Sequence, residues 1–518
     1  MKKTNNNQKR KPAQRYKSGH NTSSRTNMNK RTKVDRNAIN SRQRQVAKSR
    51  SQNKKNLRII LFQIMILGLL LIGLLAIVYK GQFNLEFFTK ENSSNNINNN
   101  HGSKNPKDNQ GDQGNQGDDE AAILTTIKKE TDKVIEESKQ LSSMYYYDEA
   151  LAKIEEYKST YDSAYLASYG PNKDLLEAKS NLETIINELR PFGAYSQVEQ
   201  VHHIFFHSLI VDTDKAFDGD SDANGYNYYM TTVSEFKEMM RQMYEDGYVL
   251  VSMSDLVAPV EQEDGSIKMQ AGDLRLPADK KPFVLSQDDV NYYDYMQGDG
   301  FASKIVIDED GRPSTEMILD DGTSSIGDYD IVPIIESFLE EYPDFSYKGA
   351  RGVLALTGYE GALGYRTNDS SSPTYEEDKK AVMEVARILK EWGWEFACHS
   401  WGHRNMDKYN YNFLVSDTNR WLEEVASLVG PTNIYIFPYG IDIEDTEVYS
   451  GEKYNYLREK GFLYFNGVYK APWMQRTADY VRMTRRPLDG QAMLQFPERL
   501  VDLFDLSKVI DPSRPPLR

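Results

Sequence analysis

A single cysteine, Cys398, excludes any internal disulfide, so packing or a bound metal must hold the folded part of this chain together. Histidine is scarce as well, at seven in 518 residues, and none follows His403. The first 58 residues nearly lack acid. Nineteen Lys or Arg stand against Asp35 alone, a net +18, which leaves −32 on the rest of a chain whose total is −14. Residues 91–120 contain no Phe, Tyr or Trp and cannot bury enough apolar surface to fold. Long apolar runs are absent everywhere but in one place.

That place is residues 59–79, where Ile, Leu, Val, Met, Phe, Ala and Gly are interrupted only by Gln63 and closed by Tyr79. At about 1.5 Å per residue the run covers roughly 30 Å, enough to cross a bilayer. It lacks the polar stripe of a buried soluble helix, and its apolar core is longer than that of a cleaved signal peptide. The expectation is an uncleaved signal anchor at the cell membrane. The positive-inside rule then puts residues 1–58 in the cytoplasm and everything after Lys80 outside. On this reading the basic arm is a topology determinant and a disordered tail, not a nucleic-acid site.

The length exceeds one core and implies two folded units beside the tails. Residues 80–120 read as a disordered low-complexity linker. Residues 121–191 read as a helical bundle or hairpin, from Ile123, Leu124, Ile127, Val134, Ile135 and Leu141 mostly at three- and four-residue spacings. Its tyrosines, Tyr145 to Tyr147 among them, are expected in the core, with docking of a protein partner as the alternative. From residue 195 to about 505, short β-rich runs alternate with amphipathic helices. Strands are expected at 201–206, 248–251, 281–287, 352–356, 395–397 and 434–437, and helices at 233–246, 331–340, 376–392 and 421–429. Residues 301–318 read as an inserted hairpin turning at Asp310-Gly311. Such alternation predicts an α/β fold, a parallel sheet or barrel whose site gathers where the strands end.

Three chemically apt groups fall at expected strand ends. These are His207, the pair Asp288-Asp289, and His399 with His403. On a helical turn, imidazoles four positions apart share one face and reach a single ion. One carboxylate and two imidazoles leave a metal an open position for water, and the second carboxylate is then available as a base. Cys398 fits a buried core position better than a ligand. The acids from Asp218 to Asp222 and at Asp320-Asp321 lack a full calcium loop and read as solvated turns.

The ordered set Ser286-Gln287-Asp288-Asp289, His399-Ser400-Trp401-Gly402-His403 and Phe437-Pro438-Tyr439-Gly440 resembles the polysaccharide deacetylases of the NodB-homology group, carbohydrate esterase family 4. The resemblance covers about residues 195–500. It implies a distorted (β/α) barrel that removes N-acetyl groups from an amino-sugar polymer of the cell wall or cell surface. It also implies a divalent metal, most often Zn2+, with Co2+ or Ni2+ compatible with the same ligands. Position by position, Asp288 matches the base, Asp289 the metal carboxylate, His399 and His403 the metal imidazoles, and the Tyr439 backbone N–H an oxyanion donor. Tyr292, Trp401 and Pro438 are candidates to contact the sugar. The sequence departs from the family in three ways. No Leu-x-His acid follows His403, and Phe206-His207 resembles instead the Tyr-His opening of the poly-N-acetylglucosamine deacetylases, which makes His207 the candidate acid. Val290 replaces a glycine. The arginine that orients the base is missing before Pro438, and Arg485 or Arg486 is the candidate replacement. A non-catalytic glycan-binding scaffold and an O-acetyl esterase remain as alternatives.

Overall fold

Apolar residues at helical spacing build three helices ahead of the β-rich part: α1 (Asn115–Ser143), α2 (Tyr147–Tyr169) and α3 (Lys173–Glu188). The computed structural model describes residues 115–192 and 196–517, so the basic arm and the apolar run at 59–79 lie outside the described residues. Among the described residues no helix is long and apolar enough to cross a membrane. Helix α1 starts inside the expected linker. Gly170, at φ 80, breaks the chain after α2, and Asn172 caps α3 by accepting from Leu175 N.

Continuous rather than alternating apolar runs mark strands covered on both faces. Seven parallel strands form here, of which β7 alone alternates: β1 (His202–Phe206), β2 (Lys281–Gln287), β3 (Val353–Leu356), β4 (Glu395–Cys398), β5 (Ile434–Ile436), β6 (Tyr464–Val468) and β7 (Val481–Pro487). Each pairs in parallel with the next, and β7 returns to β1, closing the expected barrel. Helices α4 (Val233–Glu245), α5 (Ile331–Glu341), α6 (Tyr375–Glu391), α7 (Tyr411–Glu424) and α8 (Glu452–Glu459) fill the first five crossovers. The sixth has no helix. There Met474–Arg476 lies antiparallel on β7, and Tyr248–Leu250 adds a strand outside β2.

Several boundaries differ from expectation for local reasons. Helix α7 begins ten residues early because Asn410 caps it through Phe413 N. The insertion forms its hairpin, Lys304–Ile307 against Pro313–Ile318 with Gly311 at φ 81, and then gains a third strand, Ser324–Gly327. Strands β6 and β7, unassigned from sequence, complete the barrel.

The three helices cover the end of the barrel where the strands begin. Ile154, Leu175 and Leu182 share one apolar cluster with Leu276, Ala397 and Ile434. Tyr145 packs its ring 5.5 Å from that of Tyr347 and donates its hydroxyl to Asp344 O, while Tyr146 donates to Lys348 O. Residues 112–518 are therefore one compact unit, with helices and barrel sharing a core. A cavity of about 720 Å3 lies at this seam between Leu182, Tyr145 and Pro277. It is at the end opposite the chemistry. At the other end, Arg514 is fully buried in an ion pair with Glu235 of α4 and ties the C-terminal segment to the barrel.

Candidate metal centre and active site

The rim where the strands end collects the groups singled out from sequence. Strand β2 delivers Asp288, whose backbone N–H donates to Phe206 O across the β1 pair. The two aspartates then point to different partners. Asp288 is buried in the barrel, where Arg485 of β7 grips both oxygens, Nη1 to Oδ1 at 2.6 Å and Nη2 to Oδ2 at 2.9 Å. Burial works to raise the Asp288 carboxyl, but the Arg485 guanidinium, through its charge and its hydrogen bonds, outweighs it and holds it well below the usual carboxylate range. Asp289 adopts φ 56, which turns its carboxylate to the rim. Tyr293 donates its hydroxyl to Asp289 Oδ1 at 2.7 Å and fixes the carboxylate's orientation.

The two histidines follow β4 but do not sit on a helical turn. The chain between them is irregular, with Ser400 at φ 59 and His403 at φ 48. Asp417 of α7 holds this loop by accepting from Trp401 N at 2.7 Å and Gly402 N at 2.9 Å. The rings end 4.9 Å apart. His399 Nδ1 donates to Ile436 O at 2.8 Å, because a carbonyl can only accept, and this leaves its Nε2 lone pair facing the carboxylates. His399 Nε2 lies 3.9 Å from Asp289 Oδ1, and His403 Nε2 lies 3.9 Å from Asp289 Oδ2. Burial pushes His399 down to about 4, so the ring is neutral and an acceptor near pH 7.

Asp289, His399 and His403 thus each offer one atom within 4.8 Å of the others. Two of the three are fixed as acceptors by their own partners, which suits a cation. Strain marks the same place. Of the eight non-glycine residues at positive φ among those described, Asp289, Tyr292, Ser400, His403 and Tyr439 belong to the site or adjoin it.

His207 follows β1 and completes the rim. Its Nδ1 donates to Tyr229 O at 3.1 Å, and its Nε2 lies 4.0 Å from Asp289 Oδ2. Tyr439 closes the far side in the turn after β5, its ring 4.6 Å from that of His403.

Other candidates are placed elsewhere. Arg486, next in sequence to Arg485, faces outward and pairs with Asp502 and with His202 Nδ1, so only Arg485 reaches the base. Tyr292 cannot touch sugar. It is buried and donates to Asp330 Oδ2, inside a network in which Asp330 also accepts from Gln287 Nε2 and Leu209 N. Trp401 braces the histidine loop, its indole donating to Glu424 with the Arg420 guanidinium 3.3 Å over the ring. Pro438 is buried under the Tyr439 turn. Cys398 lies in the apolar core, and His203 Nε2 meets Ser286 Oγ at 3.0 Å.

Sequence reasoning missed Asp417, the Ile436 carbonyl and Asp489. Only Asp417 left a signal, as an acid among Leu414, Thr418 and Trp421 on the buried face of α7. Asp489 is brought beside His207 because Pro487 pairs with Phe205 and Leu488 N donates to Phe205 O.

No protein-family model and no curated protein sequence matches the chain. Among solved structures it is similar to a Bacillus anthracis protein assigned as a polysaccharide deacetylase, at 10% identity and a TM-score of 0.34 over 59% of this chain and 69% of that one. A Streptococcus pyogenes deacetylase in complex with acetate matches at 11% identity and a TM-score of 0.32, over 59% of this chain and 98% of that one. A Mycobacterium smegmatis protein assigned as a polysaccharide deacetylase matches at 17% identity and a TM-score of 0.19, over 30% of this chain and 43% of that one. These likenesses are partial, and what the site can do is set by its own residues.

Proposed function

We propose that this chain is a metal-dependent hydrolase of the NodB-homology type that removes N-acetyl groups from an amino-sugar polymer of the cell wall or cell surface. The observation that carries the reading is the meeting, on one barrel rim, of a guanidinium-held carboxylate, an Asp-His-His acceptor set and a separate imidazole.

Asp289, His399 and His403 would hold the cation, and one carboxylate with two imidazoles suits zinc among the common divalent ions. Bound there, a divalent ion supplies Lewis-acid polarisation of an acyl oxygen and lowers the pKa of water. The chain's own groups account for the proton movements. Asp288 stays ionised, and both of its oxygens are fixed by Arg485, so it is oriented to accept a proton from water on the rim. His207, steered by the Tyr229 carbonyl, presents Nε2 to the same space and, when protonated, donates to the departing amine. The Tyr439 backbone N–H is the candidate donor to a developing oxyanion. The apolar run at 59–79 would tether this rim outside the membrane, within reach of such a polymer.

Acetate release from an N-acetylglucosamine polymer by the full chain is the test. A chelator and Asp289→Ala should each abolish it, and His207→Gln should lower kcat about 10²–10⁴-fold, the usual contribution of a positioned acid. Release that survives both chelation and Asp289→Ala would overturn the metal reading. Release only from an O-acetylated glycan would make the protein an esterase.

A further inference from the structure

A second concavity on the same rim, about 370 Å3, takes no part in the chemistry above. It opens where β6 and β7 end, between Val468, Tyr469 and Lys470 on one side and Asp489, Phe496 and Arg499 on the other. Both walls adjoin the catalytic cluster. Val468 packs against Gly440, the neighbour of Tyr439, and strand register sets Asp489 beside His207. A polymer lying across the metal centre past Tyr439 therefore meets this recess with its adjacent sugar.

The lining is specific in character. Tyr469 is 54% exposed, enough to offer a ring face to a sugar. Lys470 is exposed, its ammonium 6.0 Å over that ring, and the partly exposed Arg499 lies 3.7 Å over Phe496. Arg486 also lines the recess, but its charge is occupied by Asp502. Lys470, and Arg499 with the exposed Glu498 3.8 Å from its Nε, place two cations at the mouth of a recess whose wall also carries the buried Asp489, on a protein of net charge −32 beyond residue 58. Such a surface repels anions overall, so a local pair of cations on aromatic supports decides whether an anionic chain can dock.

We propose that this recess is a subsite for the sugar next to the one deacetylated, and that it selects a sugar carrying an anionic substituent, a carboxylate or a phosphate. The proposal rests on the deacetylase reading of the adjacent centre. Its test is binding of the full chain to three immobilised oligosaccharides of equal length, one neutral, one with carboxylate on alternate sugars and one with phosphate, read without reference to acetate release.

The native chain should favour one charged oligosaccharide over the neutral one by about tenfold, the scale of a charge-assisted hydrogen bond. The preference should shrink as salt rises. Whichever anion is favoured identifies the substituent. In the Lys470→Ala, Arg499→Ala double variant the ratio should fall to about one, and Lys470→Glu, at an exposed position that the fold does not need, should invert it. Equal binding of all three by the native chain, or a ratio unchanged in the variants, overturns the subsite. Charge preference without acetate release from any oligosaccharide would instead remove the deacetylase reading and leave the subsite standing.

Discussion

At the scale of single residues, the pair that defines this site is Asp288 with Arg485, both fully buried and joined by two hydrogen bonds. A buried pair adds little net stability, because desolvation offsets attraction, but removing one partner leaves an uncompensated charge and costs about 3–5 kcal/mol. Arg485→Met should therefore destabilise the chain by about that amount and abolish acetate release. Adding Asp288→Asn should recover much of the stability and none of the activity, as denaturant unfolding and the acetate assay would show. Equal stability of the single and double variants would mean that the ion pair is not the cause. The identity of the gripping residue was not legible in sequence. Strand β7 was itself unassigned from sequence; once it is known, the alternation Val481-Arg482-Met483-Thr484-Arg485 sets Arg485 on the buried face of Val481 and Met483 and Arg486 on the opposite one.

At the scale of elements, the metal centre depends on helix α7 as much as on the strands. The His399–His403 loop has two residues in the left-handed region and no helical hydrogen bonds of its own, so its shape is imposed from outside. Asp417 imposes it through the Trp401 and Gly402 amides. Asp417→Ala leaves two amide donors unmet, each costing about 1–3 kcal/mol. It should also weaken zinc binding about 10–100-fold, as supporting partners of metal ligands commonly do. Titration of the metal-free protein with zinc checks this, and unchanged affinity would show that the histidines are held by the strand end alone. The i,i+4 spacing was visible in sequence and its helical reading was not correct. The spacing fixes how many residues separate the imidazoles, while the path between them is set by a helix that follows.

At the scale of the whole molecule, the end of the barrel covered by the three helices holds two partly buried carboxyls, Glu395 and Asp255. Burial pushes Glu395 up to about 7, with Asp255 adding to it, and burial carries Asp255 up to about 6. Glu395 Oε2 is enclosed without a hydrogen-bond partner among the described residues. Each folded-state value lies above the ordinary one of 4.5 or 3.8, so the folded chain keeps protons that the unfolded chain has released. Their contribution to stability is complete at acid pH and is lost as pH rises through about 4 to 7. Glu395→Gln should flatten that slope, gaining on the native chain toward pH 8 and not at pH 4, as denaturant midpoints across the range would report. An identical slope in both proteins would place the Glu395 carboxyl in contact with water.

The sequence by itself determined the ingredients and their order. The β/α alternation came from local periodicity, and the acidic pair, the histidine pair and the Pro438-Tyr439 turn were visible because each is contiguous in the chain. The apolar run at 59–79 was equally visible, since it depends on composition alone. Tertiary structure decided everything that depends on which faces meet. It selected Arg485 over Arg486 and Tyr293 over Tyr292, and it recruited Asp417 and the Ile436 carbonyl to hold the histidines. It also set Asp489 beside His207, 282 positions apart, through the register of β7 on β1. The physical reason is barrel closure: the last strand pairs with the first, so the two ends of the chain supply neighbouring residues that no local pattern relates.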